Sequence, residues 1–197
     1  GYYKMKVFTT VNPKNLLNIY IITDNDQKSG VIIDPGDFSM NVYKLIKYIG
    51  ADIKKVIITH NDFSKTAGVA VIKKIFDVEI FSVNYQINEY ESIKIKNGSI
   101  IKEGNFEFKV IETPAHTFDS ISVLIGNALF VGDILQAGYL SSLGSNAEPS
   151  EFELKVVENN IMSLPDNTII YPSFGPATTV KIEKKFNPYL GVRNKNV

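Results

Sequence analysis

Cysteine is absent from this chain of 197 residues, which excludes disulfides, thiolate metal sites and a cysteine nucleophile. Arginine is nearly absent as well. Arg193 is the only one, so anion capture falls to lysines, hydroxyls and backbone N–H groups rather than to a planar guanidinium. Neither sign of charge is in excess: 21 Lys+Arg balance 21 Asp+Glu, which argues against a nucleic-acid or anionic-membrane partner. The most apolar stretch, Ile121 to Leu135, is broken by Ser122, Gly126, Asn127, Gly132 and Asp133, and Gly1 to Phe8 has no apolar signal-peptide core. These absences predict a cytoplasmic protein without a membrane span. Repeats, low-complexity tracts and linkers are also lacking, and a 44% hydrophobic content is enough to build a core, so one domain is expected over residues 1–197.

Periodicity supplies the elements. Leu17 to Ile22 and Val31 to Ile33 are β-branched runs separated by the polar turn 24–30, a hairpin pattern closed by Pro35-Gly36. Val42, Leu45, Ile46 and Ile49 recur at helical spacing from Met40. Val56 to Ile58 reads as a short buried strand entering a polar loop from Thr59 to Lys65, and Val69, Ile72, Lys73 and Phe76 mark a second helix. Further strands are predicted at Glu79 to Val83, Ser92 to Ile95 and Phe106 to Glu112, with a hairpin from Ile121 to Val131 turning at Gly126-Asn127. Ser150 with Glu153 forms a capping-box pattern opening a helix to about Leu164. Thr168 to Tyr171 and Val180 to Phe186 supply a last strand and helix. Two halves, each with strands first and then a helix, imply helices outside a pair of packed sheets.

Three strand ends carry metal-ligating residue types: Thr59-His60-Asn61-Asp62, Thr113-Pro114-Ala115-His116 and Gly132-Asp133. The only two histidines in the chain both lie there. Rigid strands fix donor positions closely, so imidazoles and carboxylates at strand ends are a common way to build a divalent-metal site.

The motifs around these residues give the chain its resemblance. Val31-Ile32-Ile33-Asp34-Pro35-Gly36, Ile58 to Gly68, Thr113 to Ser120, Leu129-Phe130-Val131-Gly132-Asp133 and Ile170 to Thr179 occur in the order found in the metallo-β-lactamase superfamily. Within it the chain is similar to small type II glyoxalase-like hydrolases and their persulfide dioxygenase relatives. The resemblance implies an α/β fold, a four-layer αββα sandwich of two packed mixed β-sheets with external helices. It places the family's seven ligand positions on His60, Asp62, Ser64, Lys65, His116, Asp133 and Phe174. Three match: His60, His116 and Asp133. Asp62 replaces a histidine yet keeps a donor oxygen. Ser64, Lys65 and Phe174 replace an aspartate and two histidines, which removes the ligands private to a second metal.

What remains implies at most one divalent ion, zinc, iron or manganese, on His60, His116 and Asp133 with Asp62 available. With zinc, such a set lowers the pKa of a bound water to about 7 and suits thioester, ester or lactone hydrolysis. With iron, it suits a thiol substrate beside dioxygen. Asp133 and Lys65 are the expected catalytic residues, Lys65 as a fixed charge replacing the second cation; the alternative for Lys65 is a solvated lysine at a helix start. Asp34 reads as a turn or supporting residue, Phe174 as packing in vacated volume, and Tyr139 as pocket or surface. After Gly132-Asp133 the glyoxalase-like run is also lost, with Tyr139-Leu140-Ser141-Ser142-Leu143-Gly144 lacking its arginine and acid. Little sequence follows the Asn187-Pro188-Tyr189-Leu190 tail, so the helical domain that grips glutathione in full-length type II glyoxalases is not expected. Three functions stay open: a mononuclear hydrolase on a small molecule, a mononuclear iron persulfide dioxygenase-like enzyme, and a non-catalytic pseudoenzyme that uses the old cleft for binding. Homo-oligomerisation is also left open.

Overall fold

Strands buried on both faces and helices with one apolar stripe dictate a layered molecule, and the structure, a computed structural model, describes residues 5–24, 26, 29–141 and 148–190 of it. Residues 25, 27 and 28 of the 24–30 turn, residues 142–147 and Arg193 lie outside the described residues. The first half contains strands β1 (Lys6–Val11), β2 (Asn18–Thr23) and β3 (Ser29–Ile33), helix α1 (Met40–Ile49), β4 (Asp52–Ile57), the short α2 (Phe63–Thr66), α3 (Val69–Ile75) and β5 (Glu79–Ser82). A two-residue hairpin of β6 (Gln86–Ile87) and β7 (Tyr90–Glu91) leads to β8 (Ile93–Lys94). The second half runs β9 (Ile100–Glu103), β10 (Phe106–Glu112), β11 (Ile121–Ile125), β12 (Ala128–Gly132), β13 (Leu135–Gln136), β14 (Tyr139–Leu140), α4 (Glu151–Asn160), β15 (Ile169–Pro172), β16 (Thr178–Thr179) and α5 (Val180–Phe186).

The strands make two mixed six-stranded sheets, in the orders β1-β2-β3-β4-β5-β8 and β16-β15-β12-β11-β10-β9. Strand β2 shows why they stack. All six of its residues are buried; Ile19 and Ile21 face the core under α1 and α3, while Tyr20 and Ile22 face the core between the sheets. A strand clothed on both faces reads as a continuous apolar run rather than an alternation. Val42, Ile46, Ile49, Val69 and Ile72 close the outer layer of the first sheet, and Leu154, Val157, Ile161 and Val180 close that of the second. Each such aliphatic side chain contributes about 1.5–3 kcal/mol when fully buried. The four-layer αββα sandwich expected from the sequence is the observed fold.

The departures are local. Strand β1 was not foreseen, because it is a sheet edge whose residues are only partly buried and give no clean alternation. Helix α4 has the predicted capping box but ends at Asn160, short of Leu164; the Asn160 side chain donates instead to the Glu112 carbonyl at 3.0 Å. The segment predicted as loop to Lys65 already turns helical at Phe63. Among the described residues no helix is long and apolar enough to cross a membrane.

Topology brings the strand ends that carry His60, His116 and Asp133 to one place. Strands β10 and β12 both run antiparallel to β11, and β12 is parallel to β15, so β10, β12 and β15 end at one edge of the second sheet. Strand β4 ends against the same edge, where the Ile121 N–H donates to the Thr59 carbonyl at 2.9 Å.

Candidate metal centre

Close approach of the two sheets here depends on Gly132. Its φ is +60°, and a Cβ added there would lie 2.8 Å from Thr59 Oγ1. With no side chain in the way, Asp133 sits beside the His60 loop. His60 Nε2 is 3.7 Å and His116 Nε2 3.5 Å from the same oxygen, Asp133 Oδ2, and the rings meet edge to face with centroids 5.0 Å apart. The three donor atoms all lie within 4.8 Å of one another. Two ligands on a tetrahedral zinc at 2.0–2.1 Å stand roughly 3.3 Å apart, so two imidazoles and one carboxylate oxygen at these separations could close on a single divalent ion.

The other oxygen of Asp133 faces a different cation. Lys65 Nζ donates to Asp133 Oδ1 at 2.6 Å and to Ser173 Oγ at 3.0 Å, with the Phe174 ring centroid 5.5 Å away. Lys65 has 0% of its surface exposed and Asp133 15%. The reading of Lys65 as a solvated helix-start lysine is therefore corrected: the short α2 aims its stem inward. Backbone contacts fix that aim, since the Gly36 N–H donates to the Lys65 carbonyl and the Gly68 N–H donates to the Gly36 carbonyl. A Cβ at Gly68 would come within 2.4 Å of the Phe38 backbone nitrogen. Shielded as it is, Lys65 meets the cluster only through its hydrogen bond to Asp133 among the described residues.

Asp62 stands apart from the cluster. It is the N-cap of α2, accepting from the Ser64 N–H at 2.8 Å and from the Ser64 hydroxyl, so the pair that replaces two ligand positions makes a helix cap instead. Asp34 is buried with φ +50° and accepts from Thr59 N–H at 2.8 Å and Thr59 Oγ1 at 2.6 Å, supporting the strand end that carries His60. Phe174 is half-buried against the first-sheet core, and Tyr139 is exposed, packed edge to face on Tyr189.

Several contributors carry no motif signal. Ser141 Oγ lies 2.9 Å from His116 Nδ1; with Ser141 accepting there, the Nε2 lone pair is left toward Asp133. Asn18 donates to the carbonyls of Pro172 and Gly175, and the Tyr20 hydroxyl to Pro172, which clamps the turn bearing Ser173 and Phe174. Ser173 had one available sign, a hydroxyl where the resembled Y-P-G-H motif has glycine.

A family profile described as metallo-beta-lactamase superfamily matches residues 15–93. Hydroxyacylglutathione hydrolase 1 of Vibrio vulnificus is 30% identical over 93% of this chain and 72% of its own length. The chain belongs to the metallo-beta-lactamase superfamily. A second relative, named "Probable polyketide biosynthesis zinc-dependent hydrolase BaeB", of Bacillus velezensis, is 25% identical over 89% of this chain and 82% of its own. The crystal structure of ETHE1 from Myxococcus xanthus superimposes with a TM-score of 0.82 at 21% identity, covering 93% of this chain and 83% of that one, and so shares the superfamily fold.

Electrostatics complete the picture of this superfamily member. Burial alone would raise the Asp133 pKa, but the Lys65 ammonium, by charge and hydrogen bond, together with His60 and Ser173, outweighs it and holds the carboxyl below its ordinary range. Burial first, and the Lys65 charge second, push His60 below the ordinary imidazole value, leaving a neutral nitrogen at pH 7. A folded pKa below the unfolded value of about 6.5 means that the unfolded state takes up the proton first as pH falls. Stability is therefore lost as pH drops through 6.5 toward the folded pKa, with a slope from this residue of at most about 1.4 kcal/mol per pH unit. Urea midpoints of metal-free protein between pH 7.5 and 5.5 should show the decline, and His60→Gln should remove that part of it.

Proposed function

We propose that the protein is a mononuclear, metal-dependent hydrolase of the glyoxalase II-like branch, cleaving a thioester, ester or lactone bond in a small molecule. The observation carrying this reading is the division of the Asp133 carboxylate: Oδ1 goes to the fixed ammonium of Lys65, and Oδ2 faces the two imidazoles. One divalent ion thus has three donors, while the place beside Oδ1 already holds a positive charge. The names of the Vibrio and Bacillus relatives support hydrolysis, and the latter supports zinc.

His60, His116 and Asp133 would hold the ion, which would supply Lewis-acid activation of water and of a carbonyl oxygen. The chain's own residues prepare the rest. Lys65 keeps Asp133 ionised, burial keeps His60 neutral, and Ser141 orients His116. With Arg193 as the only arginine, a substrate carboxylate would have to be met by lysines, hydroxyls or backbone N–H groups.

Metal analysis of protein purified without chelator tests the proposal. About one equivalent of zinc, iron or manganese per chain is expected, lost in both His116→Ala and Asp133→Ala, together with hydrolysis of a model thioester or lactone. Protein that stays metal-free and whose stability ignores added divalent ions would sink it in favour of a non-catalytic binding module. The set of two histidines and one carboxylate also matches a facial triad for iron. Iron as the bound metal, with oxygen uptake on a thiol substrate and no hydrolysis, would favour the persulfide dioxygenase-like reading.

A further inference from the structure

Asp119 stands where the resembled T-P-G-H-T-P-G-S run has glycine, three residues beyond His116. A carboxylate in place of glycine adds two acceptor oxygens to the rim of the site, and both are used. Oδ2 accepts from the Asn61 N–H at 2.8 Å and from Asn84 Nδ2 at 2.9 Å, while Oδ1 accepts from Thr117 Oγ1 at 2.7 Å. Asn61 directly follows His60, and Thr117 directly follows His116. One side chain therefore spans the two histidine-bearing loops, and Asn84 ties the junction to the segment after β5. The loops belong to different sheets, so their separation is not set by strand pairing within either one. Their other direct backbone tie near the histidines is the Ile121 N–H on the Thr59 carbonyl, on the far side of His60.

We propose that Asp119 is a positioning residue that holds the His60 and His116 loops at the separation at which both imidazoles meet one metal ion. The inference rests on the mononuclear reading above. It concerns the spacing of the ligands and assigns Asp119 no contact with metal or substrate. Partners that orient ligands in this way typically change metal affinity 10–100-fold when removed.

The test is a zinc and Co(II) titration of wild type, Asp119→Ala and Asp119→Asn, with the Co(II) absorption band as a report of ligand geometry. Asp119→Ala should bind roughly 10–100-fold more weakly, with an altered band. Asp119→Asn should recover to within a few-fold of wild type, because its carbonyl can accept from Asn61 and Asn84 while its amide donates to the Thr117 hydroxyl, which accepts as readily as it donates. Wild-type affinity and band in Asp119→Ala would overturn the proposal, as would an Asp119→Asn variant as impaired as the alanine. Wild-type protein that takes up no metal overturns the mononuclear reading instead. The clamp is then judged by amide exchange: faster exchange of Asn61 N–H in metal-free Asp119→Ala supports it, and unchanged exchange overturns it.

Discussion

Replacing Lys65 with methionine is expected to destabilise the fold by about 3–5 kcal/mol, read from the urea midpoint near pH 7. Methionine matches the length and much of the volume of the lysine stem, so packing is nearly conserved and the missing quantity is the charge. Lys65 is fully buried and Asp133 only 15% exposed, so removing the ammonium leaves an ionised carboxylate with little water and two imidazoles for company. Protonating Asp133 relieves that penalty, so the cost of Lys65→Met should shrink in acid. The sign follows from the pKa values: in wild type Lys65 holds Asp133 below its ordinary range, whereas burial without Lys65 raises it. In wild type the pair stabilises above the unfolded value of about 3.9 and loses that contribution as pH falls through the depressed folded value. Combining Lys65→Met with Asp133→Asn should restore much of the loss, because deleting both charges leaves none stranded. A Lys65→Met variant within about 1 kcal/mol of wild type would show that Asp133 finds its compensation elsewhere.

The parts of the site legible in the sequence are those in which residue type alone restricts the role. His60, His116 and Asp133 were readable because imidazoles are scarce here and all three follow strand-like apolar runs. Helix α1 was readable for a similar reason, since Val42, Ile46 and Ile49 meet one core whatever surrounds them. Roles set by direction rather than type were hidden. A lysine after a helix start is ordinarily solvated, whereas Lys65 is turned inward by a backbone held at Gly36 and Gly68 and by its bonds to Asp133 and Ser173. A carboxylate serves equally as ligand or N-cap, and the Ser64 N–H two residues later engages Asp62 Oδ1 as the cap of α2. The Asp62-Phe63-Ser64-Lys65 run does carry a helix-start signal. Asp119 and Ser141 look like turn residues, and their partners lie 58 and 25 positions away in the chain.

Reversing the three substitutions on the side of Oδ1 should add a metal rather than remove one. In the variant Ser64→Asp, Lys65→His, Phe174→His, the ammonium that now sits 2.6 Å from Asp133 Oδ1 is gone, and the three positions regain the carboxylate and two imidazoles of the resembled motif. Phe174 already lies over that place, with its ring centroid 5.5 Å from Nζ, and the turn that carries it is anchored by Asn18 and Tyr20, so the new imidazole starts from a held backbone. Asp133 can then present one oxygen to each of two cations, and metal content should rise from about one to about two equivalents. Lys65→His alone should not achieve this, since a lone imidazole replaces a full charge with a single donor. Without added metal the triple variant should be less stable than wild type, because Asp133 has lost its fixed cation. With zinc or manganese in excess it should recover as the second ion takes over the neutralisation. The metal dependence of its thermal midpoint, measured beside the stoichiometry, links the two effects. A triple variant that folds yet binds no more metal than wild type would mean that Asp62 and Ser64 have reshaped the start of α2 beyond what restored ligands can reverse. The proposed restriction to one metal would then reside in the backbone as well as in the side chains.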